Sequence, residues 1–394
     1  MKDYQELIAR YYDKVTEHRE WLHRHPELSH EEEQTAAYIA QVLRDMGLEP
    51  TEHVGKHGVV ALIKGSAPGK CVGLRADFDA LPVTEATGLP FASENPGVAH
   101  ACGHDAHTAM LLGAAYVLNE LKEEFAGTVK LVFQPSEEDA GDPGAKAMIE
   151  DGVLENPHVD AMFGQHVWPL YKTGTVALRN GAMMAASDRF FITVHGKNSH
   201  GSAPESGIDA IVIAAQVITA LQSIVSRNVA PLDSCVLTIG VIKGGNRYNV
   251  IADTVYLEGT CRNLNPAVRN AMPARMENII RGVTEGMGGS YDFTYKFCYS
   301  PTVNDPERFL KAKETAAEVV GEAGVVIPEQ AALGGEDFSY YCEKVPSCFL
   351  WLGCREEGRP YYPIHSGSFY PDEKALPIGI ELLVRSALNF LAEK

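Results

Sequence analysis

The 394-residue chain lacks any surplus of positive charge: 34 Lys and Arg stand against 52 Asp and Glu, a formal net charge of -18. Such an excess repels phosphate backbones and anionic bilayers, so neither nucleic acid nor a membrane is expected as a partner. No apolar run approaches the roughly 20 residues of a membrane-spanning helix. The opening MKDYQELIARYYDKV is polar and amphipathic and has no apolar h-region, so a protein that keeps its N-terminus is expected. Cysteine is sparse and scattered, at Cys71, Cys102, Cys235, Cys261, Cys298, Cys342, Cys348 and Cys354. No short-spaced framework links these residues, which excludes a small disulfide scaffold and favours a reducing cytoplasm. Internal repeats and low-complexity tracts are missing too. With 45% hydrophobic and 22% charged residues, the composition is that of a globular protein of two or three domains.

What is there is an alternation of helix and strand patterns. Residues 3–47 read as helical, with Ser29 and Glu32 spaced as a capping box and Ala36, Ile39, Leu43 and Met46 at helical intervals. Val59–Lys64 and Cys71–Asp77 read as strands, His104–Leu121 as a helix and Thr128–Phe133 as a strand. A short helix at Ala145–Gly152 and strands at Val159–His166 and Thr175–Leu178 follow. The style changes near residue 184. Strand Arg189–His195, helix Ile208–Ser226, strands Cys235–Ile242 and Thr254–Cys261, helix Ala267–Met287 and strand Tyr291–Phe297 form the order of a ferredoxin-like module. Helices Glu307–Gly321, Asp337–Lys344 and Lys374–Leu391 and the strand Ser347–Leu352 then resume the first style. The expected fold is an α/β domain, 1–183 with 297–394, with a mostly parallel sheet and helices on both faces. An α+β domain at 184–296 interrupts it.

The densest chemistry lies in His100-Ala-Cys102-Gly-His104-Asp105-Ala-His107. Thiolate and imidazole are strong ligands for zinc-like ions, and Cys102 and His104, two apart across a glycine, can converge on one ion from a loop. The blander reading is a helix start with incidental histidines. Next, the apolar strand ending in Gln134 runs into Pro135-Ser136-Glu137-Glu138. Adjacent side chains in extended backbone point in different directions, so one carboxylate can bind metal while the other faces a bound water. An acidic solvated turn is the alternative. His166 also ends an apolar strand, Asp77 and Asp79 end another, and His365 sits in a Pro/Gly-rich loop. Ligands of open α/β sheets bind at the carboxyl ends of strands, so the five sites together point to a metal or catalytic centre.

These residues carry a resemblance. LRADFDALPV, HACGHDAHTAMLLGAA, FQPSEE, GQHVWP, NVIADTVYLEGTCR, GGEDFSYY and IHSGSFYPDE stand in order from about residue 20 to 390. In this the chain resembles the dinuclear-metal aminoacylase/carboxypeptidase superfamily, in its branch of hippurate hydrolases and plant auxin-conjugate amidohydrolases. The resemblance implies a split catalytic domain with an inserted lid or dimerisation domain, and hence a homodimer formed through 184–296. It implies two divalent ions per chain, zinc or manganese with cobalt or nickel as further options, held by Cys102, His104, Glu138, His166 and His365. Cys102 stands where the wider superfamily has a bridging Asp, and Arg75 where relatives have a ligand His. Asp77 then orients a ligand from behind it, Glu137 is the general base, and His200 polarises the scissile carbonyl. Asn249 and Arg262 lie near the substrate carboxylate. Two departures bear on the lid contacts and so on acyl preference: Asn198-Ser199-His200 replaces Gly-Gly-His, and Pro204-Glu205 replaces Pro-His.

The implied reaction is hydrolysis of an N-acyl or N-aroyl amino acid, a small molecule, to a carboxylic acid and a free amino acid. A metallo-carboxypeptidase or dipeptidase is the near alternative. From a different class comes a thiol hydrolase with Cys102 as nucleophile and His104 or His107 as base. A non-enzymatic, metal-dependent binding protein is a third reading, though it leaves the free carboxylate beside Glu138 without a role.

Overall fold

The computed structural model describes residues 4–393. Two compact units emerge, the second being Met184–Pro301 with Ala331–Glu336. The sequence assigned 331–336 to the first domain by continuity. In the structure, however, the Ala185 amide donates to the Gly334 carbonyl at 3.0 Å and Met184 bridges Ala332, which holds that segment in the second unit.

The first unit is built on an eight-stranded sheet. Its centre is four parallel neighbours in the order Ala126–Gln134, Ala67–Asp77, Ala161–Lys172, Ser347–Arg355. Gly58–Lys64 and Thr51–Val54 extend one side with antiparallel pairing; on the other, Val176–Ala177 pairs antiparallel with Ser347–Arg355 and parallel with Val325–Val326. The helix His104–Glu120 is apolar on nearly all faces and buried almost throughout, as a helix within a core must be. It packs against Tyr4–Arg24 and Ala375–Leu391. Gly113 permits the close approach, since a Cβ there lies 2.6 Å from Ile380 Cδ1.

The second unit is an antiparallel sheet in the order Ser290–Tyr299, Ala186–His195, Thr254–Asn263, Cys235–Gly244. The helices Ala210–Ser223 and Pro266–Gly286 pack with it around Phe190, Ile213, Val217, Leu257, Met276 and Ile280. Strand order and connectivity are ferredoxin-like.

Several boundaries differ from the sequence reading. The stretch 3–47 is expected as a helical run; its described residues form two helices, Tyr4–Arg24 and Glu33–Asp45, separated by a loop that contains Pro26. The capping box does not form. Ser29 Oγ donates to Asp79 at 2.7 Å, and Glu27 reaches forward to accept the Thr35 amide at 2.8 Å. Asp337–Lys344 contributes only the turn Ser339–Cys342. Ala210–Asn228 is, by length and composition, apolar enough to cross a membrane, against the reading that no run approaches that size. Ala210, Ile213, Ala214, Val217 and Leu221 face the core of the second unit, which accounts for part of that apolarity, while Ile211 and Val212 are exposed.

Candidate metal centre

The carboxyl ends of the central parallel strands gather the chemistry. Asp77 ends one strand and Asp79 follows two residues later; Gln134 ends its neighbour and leads to Glu137 and Glu138; His166 lies on the third. Two backbone features aim the loops. Gly103, at φ 87°, precedes the helix His104–Glu120, and a Cβ there meets Val167 Cγ2 at 2.5 Å, so only glycine fits between Cys102 and His104. His365, at φ 64°, is tied down by its amide, which donates to the Ala101 carbonyl at 2.7 Å.

Cys102, His104, Glu138, His166 and His365 converge. Cys102 Sγ lies 3.2 Å from His166 Nε2, and His365 Nε2 lies 3.2 Å from Glu138 Oε1. Cys102 with His104 and His166 forms one set, and Cys102 with Glu138 and His365 another, each with ligand atoms within 4.8 Å of one another. Cys102 is common to both. Glu137 joins His104 and Glu138 in a third such set. It is buried, and its Oε1 lies 3.4 Å from the Asp337 amide that donates to it.

The donor set fits divalent ions of the zinc type: one thiolate, three imidazoles and a carboxylate. A second observation agrees. His104 Nε2 is buried and has no hydrogen-bond partner among the described residues. Such an orphan costs about 1–3 kcal/mol unless something binds it. Its other nitrogen, Nδ1, is 3.1 Å from Asp79 Oδ1, which orients the ring. Asp79 also accepts the Glu138 amide at 2.9 Å, so one carboxylate aligns two of the five residues. Asp77 was expected to orient a ligand from behind. Asp77 takes His107 Nδ1 and Arg75 Nη1, both at 2.6 Å, and stands 3.8 Å from His104 Nε2. The available signal was the Asp-Phe-Asp spacing, which places both carboxylates on one side of an extended segment.

Electrostatics separate the two roles once weighed for Cys102. Burial first, then Glu138, Glu137 and Asp77, push its thiol well up. A nucleophilic cysteine needs a cationic neighbour that lowers its pKa, and here carboxylates do the reverse. Bound cations invert that balance, as a metal ligand requires. Burial opposes charging His104, yet Asp77, Asp79 and Glu138 outweigh it and bring it to about 10. Burial and then His107 push His166 well down, leaving a neutral imidazole.

The remaining sequence-derived residues belong to the second unit. His200 is exposed, with Nδ1 2.7 Å from Ser202 Oγ. It bridges Val250, and the Gly201 amide donates to the Asn249 carbonyl at 2.9 Å, so His200 and Asn249 are neighbours. Arg262 is half-buried and bonds Thr260 Oγ1 and the Cys261 carbonyl on its own strand. It makes no ion pair among the described residues. Glu258, four residues earlier on the same strand, pairs with Arg189 at 2.6 Å.

Residues 73–389 match the family described as peptidase family M20/M25/M40. The chain is 40% identical to thermostable carboxypeptidase 1 of Saccharolobus solfataricus, over 95% of this chain and 96% of that one. It is 38% identical to the hippurate hydrolase of Campylobacter jejuni, over 95% of each. Among solved structures it is similar to a dinuclear metal binding peptidase of the M20 family from Bacillus subtilis, with TM-score 0.85 and 36% identity over 97% of this chain and 99% of that one.

Proposed function

The chain belongs to peptidase family M20/M25/M40, and from that premise we propose that it is a dinuclear metal-dependent amidohydrolase of N-acyl or N-aroyl amino acids. The carrying observation is the pair of ligand sets that share Cys102. One ion falls to Cys102, His104 and His166, the other to Cys102, Glu138 and His365, with Asp79 orienting His104 and aligning Glu138. When bound, the ions lower the pKa of a water and polarise a carbonyl. Glu137, held by the Asp337 amide and not needed as a ligand, takes the proton of the attacking water and returns it to the leaving amine. His200 donates to the oxygen on which charge develops. Asn249 and Arg262 bind the free α-carboxylate, and the guanidinium of Arg262, which has no carboxylate partner among the described residues, suits two parallel hydrogen bonds.

The relatives named for hippurate hydrolysis and for carboxypeptidase activity support amide cleavage beside a free carboxylate. A peptide substrate is therefore the second reading. Zinc or manganese is our choice of ion, from the mixed sulfur, nitrogen and oxygen donors. All eight cysteines are free thiols, which supports a cytoplasmic protein. A homodimer through the second unit is supported by its unpartnered apolar surface. Ile211 and Val212 are each 47% exposed on the helix Ala210–Ser223, and Ile242 is 59% exposed on the edge strand Cys235–Gly244.

The test is a screen of N-acetyl, N-benzoyl and longer N-acyl amino acids beside dipeptides, on metal-free protein reloaded with each ion. Turnover of acyl amino acids that needs about two ions per chain is expected. Full turnover after exhaustive chelation ends the metal reading and restores the thiol one.

A further inference from the structure

His107 has no part in the proposed chemistry, yet it is fully buried against the centre. Its Nδ1 lies 2.6 Å from Asp77 Oδ1, and its Nε2 lies 2.8 Å from the Val167 amide nitrogen. A backbone amide can only donate, so Nε2 is the acceptor and carries no proton. The one ring proton is on Nδ1 and goes to Asp77. Arg75 Nη1 occupies the other oxygen of Asp77 at 2.6 Å and holds that carboxylate in place. Both His107 nitrogens are thereby used. That removes His107 from the ligands, although its position with Asp77 and His104 resembles a further ligand set.

The backbone explains why an imidazole is needed. The strand Ala161–Lys172 pairs with Ala67–Asp77 only as far as Gly164. Beyond that point the neighbouring strand is ending, and a buried amide must find another acceptor. His107 supplies it at Val167. The same residue's carbonyl is 2.7 Å from His166 Nδ1, which puts the His166 proton on Nδ1 and turns its Nε2 toward Cys102 Sγ, 3.2 Å away. The His107 and His166 rings also meet edge to face, with centroids 4.5 Å apart. His107 thus grips the backbone and the ring of His166 together.

We propose that His107 is a positioning residue for one of the two ions: backed by Asp77 and Arg75, it sets the tautomer and aim of His166. The inference rests on the assignment of Cys102, His104 and His166 to a single ion. Histidines that ligate metals are commonly oriented by such partners, whose loss costs about 10–100-fold in metal affinity. Here the cost falls on one equivalent only, because Glu138 and His365 do not touch His107.

The experiment is calorimetric titration of metal-free wild type, His107→Phe and His107→Gln with zinc alone, with circular dichroism confirming the fold of each before titration. Wild type is expected to bind two equivalents. His107→Phe keeps ring volume but loses both bonds, and one equivalent should weaken about 10–100-fold while the other stays within about threefold. The glutamine amide can accept from Val167 and donate to Asp77, so His107→Gln should recover most of the loss. Two wild-type affinities in His107→Phe, or equal weakening of both, overturns the inference while leaving the metal reading intact. Wild type that binds no zinc overturns the metal reading, and the inference with it. Histidine nitrogen NMR of metal-free wild type gives a check that needs no variant. Nδ1–H tautomers are expected for both His107 and His166, and an Nε2-protonated His107 overturns the inference.

Discussion

Glu137 and Glu138 are adjacent and differ in what holds them. Glu138 is aligned by Asp79 and faces His365, whereas Glu137 receives the Asp337 amide. The backbone bends at both residues, just after Ser136 at φ 55°, and each carboxylate keeps its own anchor, which is how one dipeptide can serve as ligand and base. Glu137→Gln keeps the shape and loses the basic oxygen. Turnover should fall at least about a hundredfold with metal stoichiometry unchanged; near-normal turnover by steady-state assay refutes the assignment. Arg262 presents a parallel case, because its guanidinium bonds only its own strand and has no carboxylate partner among the described residues. An N-acyl amino acid should be strongly preferred over its amide or methyl ester, and Arg262→Ala should erase most of that preference by raising KM. Equal rates on acid and amide in the wild type point to a general amidase instead.

Helices in the first unit do more than cover the sheet. His18 on Tyr4–Arg24 sits between Tyr38 Oη, at 2.8 Å, and Tyr116 Oη, at 3.1 Å, and so ties the three helices Tyr4–Arg24, Glu33–Asp45 and His104–Glu120 together. Burial, and then the Lys14 charge, push its pKa from the usual 6.5 down to about 4. The folded state therefore needs the neutral ring. Its stabilising effect is complete above pH 6.5, where the unfolded chain is also neutral, and drains away as pH falls toward 4. The maximum loss from this one residue is about 3 kcal/mol. Melting temperatures at pH 7.5 and 5 should drop more in wild type than in His18→Gln, in metal-free protein of both. An identical drop shows that His18 does not contribute to the acid sensitivity. A loop between helices has a comparable task at the catalytic end. Glu32, fully buried, accepts both the amide and the hydroxyl of Ser136, at 2.8 and 2.9 Å, and Ser136 is held at φ 55° just before Glu137.

At the scale of the molecule, a net charge of -18 repels anions, so the proposed binding of a substrate carboxylate requires a local cation such as Arg262 to prevail within the Debye length of about 8–10 Å. Dimerisation belongs to this scale too. The helix Ala210–Ser223 buries one face in its own unit and leaves Ile211 and Val212 in water, and the edge strand Cys235–Gly244 has a ladder partner on one side only. An open edge beside exposed apolar side chains is a standing invitation to pair. Sedimentation at micromolar concentration should give a dimer, and Ile211→Glu with Val212→Lys should shift it to monomer. Monomer alone in the wild type refutes the proposal.

Sequence by itself marked out the kinds of element, the interruption near residue 184 and the five ligand-type residues that converge, because each is written locally. Period-two and helical patterns mark strands and helices, and ligand-type residues stand where apolar runs stop. Hydrogen-bond partners were decided only by the tertiary structure. Ser29 and Glu32 have the spacing of a cap, but Asp79 and Ser136 compete for them from 50 and 104 residues away. His104 and His107 are alike in a sequence, each beside the same aspartates. Packing leaves a nitrogen unpartnered on the first and spends both on the second, since the Val167 amide reaches only His107. Segment 331–336 joins the second unit through backbone bonds that no side-chain pattern records. Local periodicity is a property of a few consecutive residues, whereas the partner of a buried polar atom depends on which distant segment the core brings against it.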